Sequence, residues 1–255
     1  MNDQSVALIA GTRPEAIKLA PLAKALIARG IRPRLVLTGQ HPNLRADDYG
    51  MPELPKVDLG CRGMPDPLAH LKLVTRSIGT AIADAALVVV QGDTSSAFGG
   101  AQGAAGLGIP IAHVEAGLRS HDRRNPWPEE DFRIAIDALS SLLFAPTELN
   151  AANLRREAVH GAIHVTGNTG IDALFDRMPL IHGSVEDMGE RRKLLVTCHR
   201  RESWGEGLAG IAACLIELGC RGDVEIELVL HPNPVVAGEM RRLLSFRPNI
   251  HLSEP

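Results

Sequence analysis

The sequence predicts an α/β protein of parallel, doubly wound sheets in two Rossmann-like domains. Three observations predict it. Short aliphatic runs recur along the chain, most of them continuous rather than alternating, as in strands covered on both faces. Between them lie longer stretches with apolar residues at i, i+3, i+4 and i+7, the period of a helix that buries one side. Strand and helix patterns also alternate, and parallel strands joined by helices satisfy that order with short connections.

The predicted strands are 6–10, 34–38, 87–91, 109–114, 142–145, 163–166, 194–197, 224–230 and 250–252. The first helical stripe is Leu19, Leu22, Ala23, Leu26 and Ile27, stopped by Gly30. A second stripe, Leu208, Ile211, Ala212, Leu215 and Ile216, runs up to Gly219. The small-residue run SSAFGGAQGAAGLG (95–108) does not place its glycines as G-x-G-x-x-G directly after a strand, so it reads as close helix packing rather than a dinucleotide site. From 178 to 192 the text MPLIHGSVEDMGERR is polar and irregular, and a fresh strand–helix–strand pattern follows. The expected domains are 1–178 and 190–255. The second has about 65 residues, when such domains usually need on the order of 100–150, so it is expected to be truncated and to leave apolar sheet surface uncovered.

Composition narrows the classes. With 45% hydrophobic and 22% charged residues the chain is globular rather than disordered. A net charge of −3 excludes a nucleic-acid binder without a strongly segregated basic face. No apolar run is long enough to span a bilayer. The start, Met1-Asn2-Asp3-Gln4, lacks the charge and apolar core of a signal peptide, so a cytoplasmic location is expected. Cys61, Cys198, Cys214 and Cys220 show no CxxC spacing and read as free, buried thiols.

In open α/β sheets ligands sit outside the carboxyl ends of the strands. Six predicted strand ends carry ionisable or amide groups: Gly11-Thr12-Arg13 and on to Lys18, Gly39-Gln40-His41, Gly92-Asp93-Thr94, Glu115, Cys198-His199-Arg200, and His231-Pro232-Asn233. Asp93 reads equally as a helix cap. Glu115 is too long for an ordinary cap and reads as functional. Arg13 and Lys18, near a glycine turn and a helix start, suit an anionic group such as phosphate, although Lys18 also fits a solvated helix face. His199 reads as a ligand contact and His113 as a hydrogen-bonded core histidine. In NPWPEEDFR (125–133) the prolines and tryptophan fix a loop before acids that enter a helix N-terminus. Capping accounts for Glu130 or Asp131 but not for the rigid loop. Several carboxylates with basic groups nearby point to acid/base work on an anionic substrate.

These strings resemble the non-hydrolysing UDP-N-acetylglucosamine 2-epimerases: GTRPEAIKLAP (11–21), TGQH (38–41), QGDTSSA (91–97), HVEAGLRS (113–120), NPWPEEDFR (125–133), FAPTELNAANL (144–154), VTGNTGIDAL (165–174) and VTCHRRESWGEGL (196–208). The resemblance implies a GT-B arrangement with the active site between the domains. It implies reversible inversion at C2 of UDP-N-acetylglucosamine to give UDP-N-acetylmannosamine, a precursor of bacterial-type surface polysaccharide. UDP leaves by anti elimination to form 2-acetamidoglucal and re-adds after C2 is protonated from the other face. No metal or other cofactor is implied, and the implied partners are UDP-N-acetylglucosamine, UDP and a second copy of the chain in a homodimer. Carried over residue by residue, the catalytic group is Asp93, Glu115, Glu129 and His199, with Asp93 and Glu129 as the proton-transfer pair and Glu115 assisting. Arg13, Lys18 and Arg133 match the cationic substrate-binding positions. Gln40, His41 and His231 fall where a second, allosteric molecule of substrate is bound in some members.

The sequence also departs from the family. Cys198 replaces a small residue, Pro42-Asn43-Leu44 replaces a polar continuation, and the family's uridine-diphosphate contacts in the second domain, a Ser-Gly-Gly turn and paired glutamates, have no counterpart before Pro255. Three other readings stand beside the epimerase: its hydrolysing sibling, a GT-B glycosyltransferase, and an inactive nucleotide-sugar-binding module.

Overall fold

A computed structural model describes residues 5–178, 191–198 and 204–254. The chain divides into two compact units, Met1–Ile181 and His182–Pro255.

The first unit is a seven-stranded sheet. Its strands are β1 (Ser5–Ala10), β2 (Arg32–Leu37), β3 (Lys56–Asp58), β4 (Ala85–Gln91), β5 (Ile111–Val114), β6 (Leu142–Ala145) and β7 (Ala162–Val165). Their order across the sheet is β3-β2-β1-β4-β5-β6-β7, and every neighbouring pair is parallel. The order reverses between β1 and β4, which places a switch point there. The helices are α1 (Arg13–Ala28), α2 (Pro67–Ser77), the single turn α3 (Gly79–Ile82), α4 (Ser95–Gly106), α5 (Glu129–Leu139), α6 (Glu148–Arg156) and α7 (Thr169–Arg177).

Strand pleating builds two core layers from one run of apolar residues. Val6, Leu8 and Ala10 face one side with Leu19, Ala20 and Ala23 of α1, while Ala7 and Ile9 face the other with Ala97, Ala101 and Ala104 of α4. This is why β1 reads as a continuous apolar run. The glycines of α4 serve close packing: a Cβ on Gly100 would press on Ile9, and one on Gly103 would stand 2.2 Å from Ile78 Cγ2. Four strands begin two residues from their expected starts: β2 at Arg32, β4 at Ala85, β5 at Ile111 and, in the second unit, β8 (Arg192–Thr197) at Arg192. The exposed edge strand β3 carries no apolar run and is absent from the sequence pattern.

The second unit contains β8 (Arg192–Thr197), α8 (Glu206–Gly219), β9 (Val224–Val229), α9 (Pro234–Leu244) and β10 (Ile250–Ser253), with parallel sheet order β10-β9-β8. Both helices pack on one face: Leu208, Ala212 and Leu215 of α8 and Val236, Ala237 and Met240 of α9 surround Ile226 and Leu228. The opposite face was expected to be apolar and is mixed instead. It carries Lys193, Glu225, Glu227 and His251, with Leu195 74% exposed among them. The alternation Val-Glu-Ile-Glu-Leu-Val in β9 is the cause, since pleating puts Glu225 and Glu227 on that face and Val224, Ile226 and Leu228 on the other.

Candidate active site

Residues after β1, β4 and β5 converge at the switch point. After β1, Thr12 precedes α1 and Glu15 folds back beneath the turn. Its Oε2 accepts from the N–H of Gly11 (2.8 Å) and Thr12 (2.7 Å) and from the Thr12 hydroxyl (2.9 Å), and its Oε1 accepts from the Thr94 hydroxyl (2.6 Å). Burial pushes the Glu15 carboxyl above its ordinary range, against these hydrogen bonds, which pull it down. Glu15 therefore ties the Arg13 turn to the Asp93-Thr94 turn. At Gly11 a side chain is excluded, because a Cβ would lie 2.0 Å from Ser96 Oγ and 2.4 Å from Thr38 Oγ1.

Glu115 follows β5 with φ 73°, a left-handed conformation that costs a residue with a side chain about 1–3 kcal/mol and is found mostly where function imposes it. Its N–H and that of Ala116 both donate to the Phe144 carbonyl on β6. The Glu115 carboxylate accepts from Lys18 Nζ of α1 at 2.5 Å and from Gln91 Nε2 of β4 at 2.5 Å. Asp93 is paired with Arg133 of α5, whose other nitrogen donates to Glu130 at 3.2 Å. Glu129 begins α5, one helical turn before Arg133 and on the same side, where the helix dipole favours an anion. Its Oε2 is buried and has no hydrogen-bond partner among the described residues. Carboxylates with a free, desolvated lone pair are suited to taking or giving a proton.

Of the sequence-derived candidates, the structure thus joins Lys18 to Glu115 and Arg133 to Asp93. Arg13 belongs to neither pair. With Pro14, His41, Pro42, Asn43 and Leu44 it lines a cavity of about 480 Å³. There burial, and then the Arg13 charge, hold the His41 imidazole below its ordinary value. Gln40 is engaged internally, its Oε1 accepting from Ser96 Oγ at 2.6 Å. His231 belongs to the second unit, where its Nδ1 accepts from Asn233 N at 2.9 Å and its ring meets Trp204 edge-on. His199 lies outside the described residues.

Glu130, expected as a helix cap, does something else. It accepts from the N–H of Ser120 and His121 (3.0 Å each) and pairs with Arg133. Burial works against its charge, but those N–H donors and Arg133 hold its carboxyl below the ordinary range. Gln91, Glu15 and Asp137 were not singled out from the sequence. Gln91 stands two residues before Asp93 in QGDTSSA, and that adjacency was the available signal.

Comparison with known proteins points one way. The sequence model of the UDP-N-acetylglucosamine 2-epimerase family matches residues 24–255. A UDP-N-acetylglucosamine 2-epimerase of Neisseria meningitidis is 34% identical over 269 residues, which cover 98% of this chain and 72% of that protein. The crystal structure of UDP-GlcNAc 2-epimerase from Neisseria meningitidis bound to UDP-GlcNAc superposes with a TM-score of 0.86 at 32% identity, covering 99% of this chain and 72% of that one. The Methanocaldococcus jannaschii UDP-GlcNAc 2-epimerase, solved with UDP-GlcNAc and UDP, gives a TM-score of 0.78 at 30% identity, covering 99% and 74%.

Proposed function

The chain belongs to the UDP-N-acetylglucosamine 2-epimerase family, and from that premise we propose how its residues carry the reaction. The substrate is UDP-N-acetylglucosamine and the reaction is reversible inversion at C2. A carboxylate removes the C2 proton while the C1–O bond to UDP breaks, its electron pair leaving on the diphosphate and a C1=C2 double bond forming. The return of a proton to the opposite face of C2 and re-addition of UDP at C1 complete the inversion.

Inversion requires proton-transfer groups on two faces of the sugar, and Glu129 and Asp93 are the pair assigned to them. Glu129 has the unpartnered oxygen and is assigned to one face. Asp93, held by Arg133, is assigned to the other. Glu115 is tied to Lys18 and Gln91 and orients the Lys18 ammonium toward the departing diphosphate. Arg13, exposed at the start of α1, is assigned to phosphate together with that helix N-terminus. His199 is retained as a further catalytic or nucleotide contact. Gln40, His41 and His231 are retained as candidates for a second substrate molecule, with His41 favoured because it lines the Arg13 cavity. A homodimer acting in the cytoplasm, where nucleotide sugars are made, completes the reading, with Met1–Ile181 carrying the carboxylates.

The observation that carries this assignment is the gathering of Asp93, Glu115, Lys18 and Arg133 at the strand ends around the β1/β4 switch point. Product analysis by proton NMR tests it. UDP-N-acetylmannosamine in equilibrium with UDP-N-acetylglucosamine is expected; free N-acetylmannosamine as the sole sugar product contradicts it in favour of the hydrolysing type.

A further inference from the structure

Beneath the carboxylates assigned to substrate lies a second polar cluster, formed by His113 of β5, Asp137 of α5 and Arg119. His113 and Asp137 are wholly buried, and the Arg119 side chain is 1% exposed. His113 Nδ1 lies 2.6 Å from Asp137 Oδ1 and His113 Nε2 lies 2.8 Å from the Gly92 carbonyl oxygen. A carbonyl only accepts, so Nε2 carries a hydrogen. The other Asp137 oxygen accepts from Gly117 N (3.1 Å) and Arg119 (2.7 Å). Burial raises the Asp137 carboxyl, but the His113 and Arg119 bonds and charges outweigh it and hold the group below its ordinary range. The Nδ1–Oδ1 contact holds one further hydrogen, so both ring nitrogens are engaged. Glu157 neutralises the outer side of Arg119 at 2.5 Å.

The ends of this cluster are informative. One arm terminates on Gly92, a left-handed glycine (φ 73°) immediately before Asp93. The other terminates on Gly117, also left-handed (φ 79°) and two residues after Glu115. Gly117 accepts no side chain, since a Cβ would lie 2.3 Å from Asn150 O, and its carbonyl accepts from Asn153 Nδ2 at 2.9 Å. The two turns that aim Asp93 and Glu115 are therefore fastened to one buried ion pair. Buried ion pairs contribute little net stability over apolar packing, so stability alone does not account for this cluster.

We infer that His113 and Asp137 are positioning residues: the imidazole and its carboxylate partner set the Gly92–Asp93 and Glu115–Gly117 turns relative to each other. This rests on the assignment of Asp93 and Glu115 made above.

Two variants of His113 separate the arms. The amide of asparagine reaches where Nδ1 lies, and that of glutamine where Nε2 lies. His113→Asn keeps a donor for Asp137 but releases the Gly92 carbonyl; His113→Gln keeps the donor for Gly92. In the full chain each variant severs one arm and with it the link between the turns, so both are expected to lower kcat about 100-fold, the scale of an ångström-sized misplacement, with KM for UDP-N-acetylglucosamine within about threefold. A merely structural histidine would lower the unfolding midpoint in both variants and leave kcat of the folded enzyme unchanged. Independently of turnover, a long-range proton–nitrogen NMR spectrum of the wild-type chain is expected to show a hydrogen on Nε2 of His113, as the bond to the Gly92 carbonyl requires; an Nε2 without one overturns the inference. Equal kcat in wild type and His113→Asn overturns it too. A wild-type chain that neither epimerises nor exchanges the C2 hydrogen instead overturns the assignment of Asp93 and Glu115, and this inference with it.

Discussion

Asp93 and Glu115 sit at the same end of one sheet but in different company. Asp93 has one strong partner, Arg133, and Glu115 has two, Lys18 and Gln91. Asp93→Asn keeps the shape and withdraws the proton acceptor. Turnover is expected to fall by about 10²–10⁴-fold, the usual worth of general acid–base catalysis, while the unfolding midpoint moves by only a few degrees. Near-normal turnover would remove Asp93 from the chemistry. Lys18→Met leaves the Glu115 carboxylate with the Gln91 amide alone. A drop of about tenfold to a hundredfold in kcat/KM is expected, corresponding to one charged hydrogen bond of about 1.5–3 kcal/mol. Steady-state kinetics decide this, an unchanged kcat/KM counting against a role for Lys18. At this scale the sequence was legible where a polar residue follows an apolar run, as at Asp93 and Glu115. Asp137 was not, because it lies mid-helix between apolar neighbours and its partners His113, Gly117 and Arg119 stand 24, 20 and 18 residues away.

At the scale of elements, two contacts explain how the strand ends stay aligned. Glu15 joins the turn after β1 to the turn after β4. Its carboxyl is raised by burial, so folding tightens proton binding there. Protonation of Glu15 then favours the folded state, and its contribution grows as pH falls through the folded value toward the ordinary 4.5. Glu15→Gln can still accept from Gly11 and Thr12 while its amide donates to Thr94. It is expected to change stability at pH 7 by less than about 1 kcal/mol and to remove this pH dependence, whereas Glu15→Ala, which orphans buried donors, costs about 1–3 kcal/mol. Urea unfolding at pH 5 and pH 7 measures both; an unaltered pH dependence in Glu15→Gln refutes the argument. The second contact is α4 on α2. Gly103→Ala would drive a methyl into Ile78, with an expected loss of about 1–3 kcal/mol and no change in KM. The glycine-rich run was legible as close packing because its spacing failed the dinucleotide pattern. The edge strand β3 was not legible, being three exposed residues long.

The whole molecule is two α/β units, and the chain spans 72% of the length of its Neisseria meningitidis relative. The alternation of strand and helix made the fold class legible throughout. The mixed face of the second sheet escaped, because an apolar-looking stretch hides the two glutamates of β9 until pleating separates them. A homodimer is expected at this scale, and light scattering should return the mass of two chains; the mass of one contradicts it. The central claim is that these carboxylates make and break the bond between C2 of the sugar and its hydrogen. Incubation of the full chain with UDP-N-acetylglucosamine in deuterium oxide tests that claim most directly. Proton NMR is predicted to show loss of the C2 hydrogen signal together with growth of UDP-N-acetylmannosamine. Retention of the C2 hydrogen over many equivalents of enzyme, with UDP-N-acetylglucosamine unchanged, would contradict it.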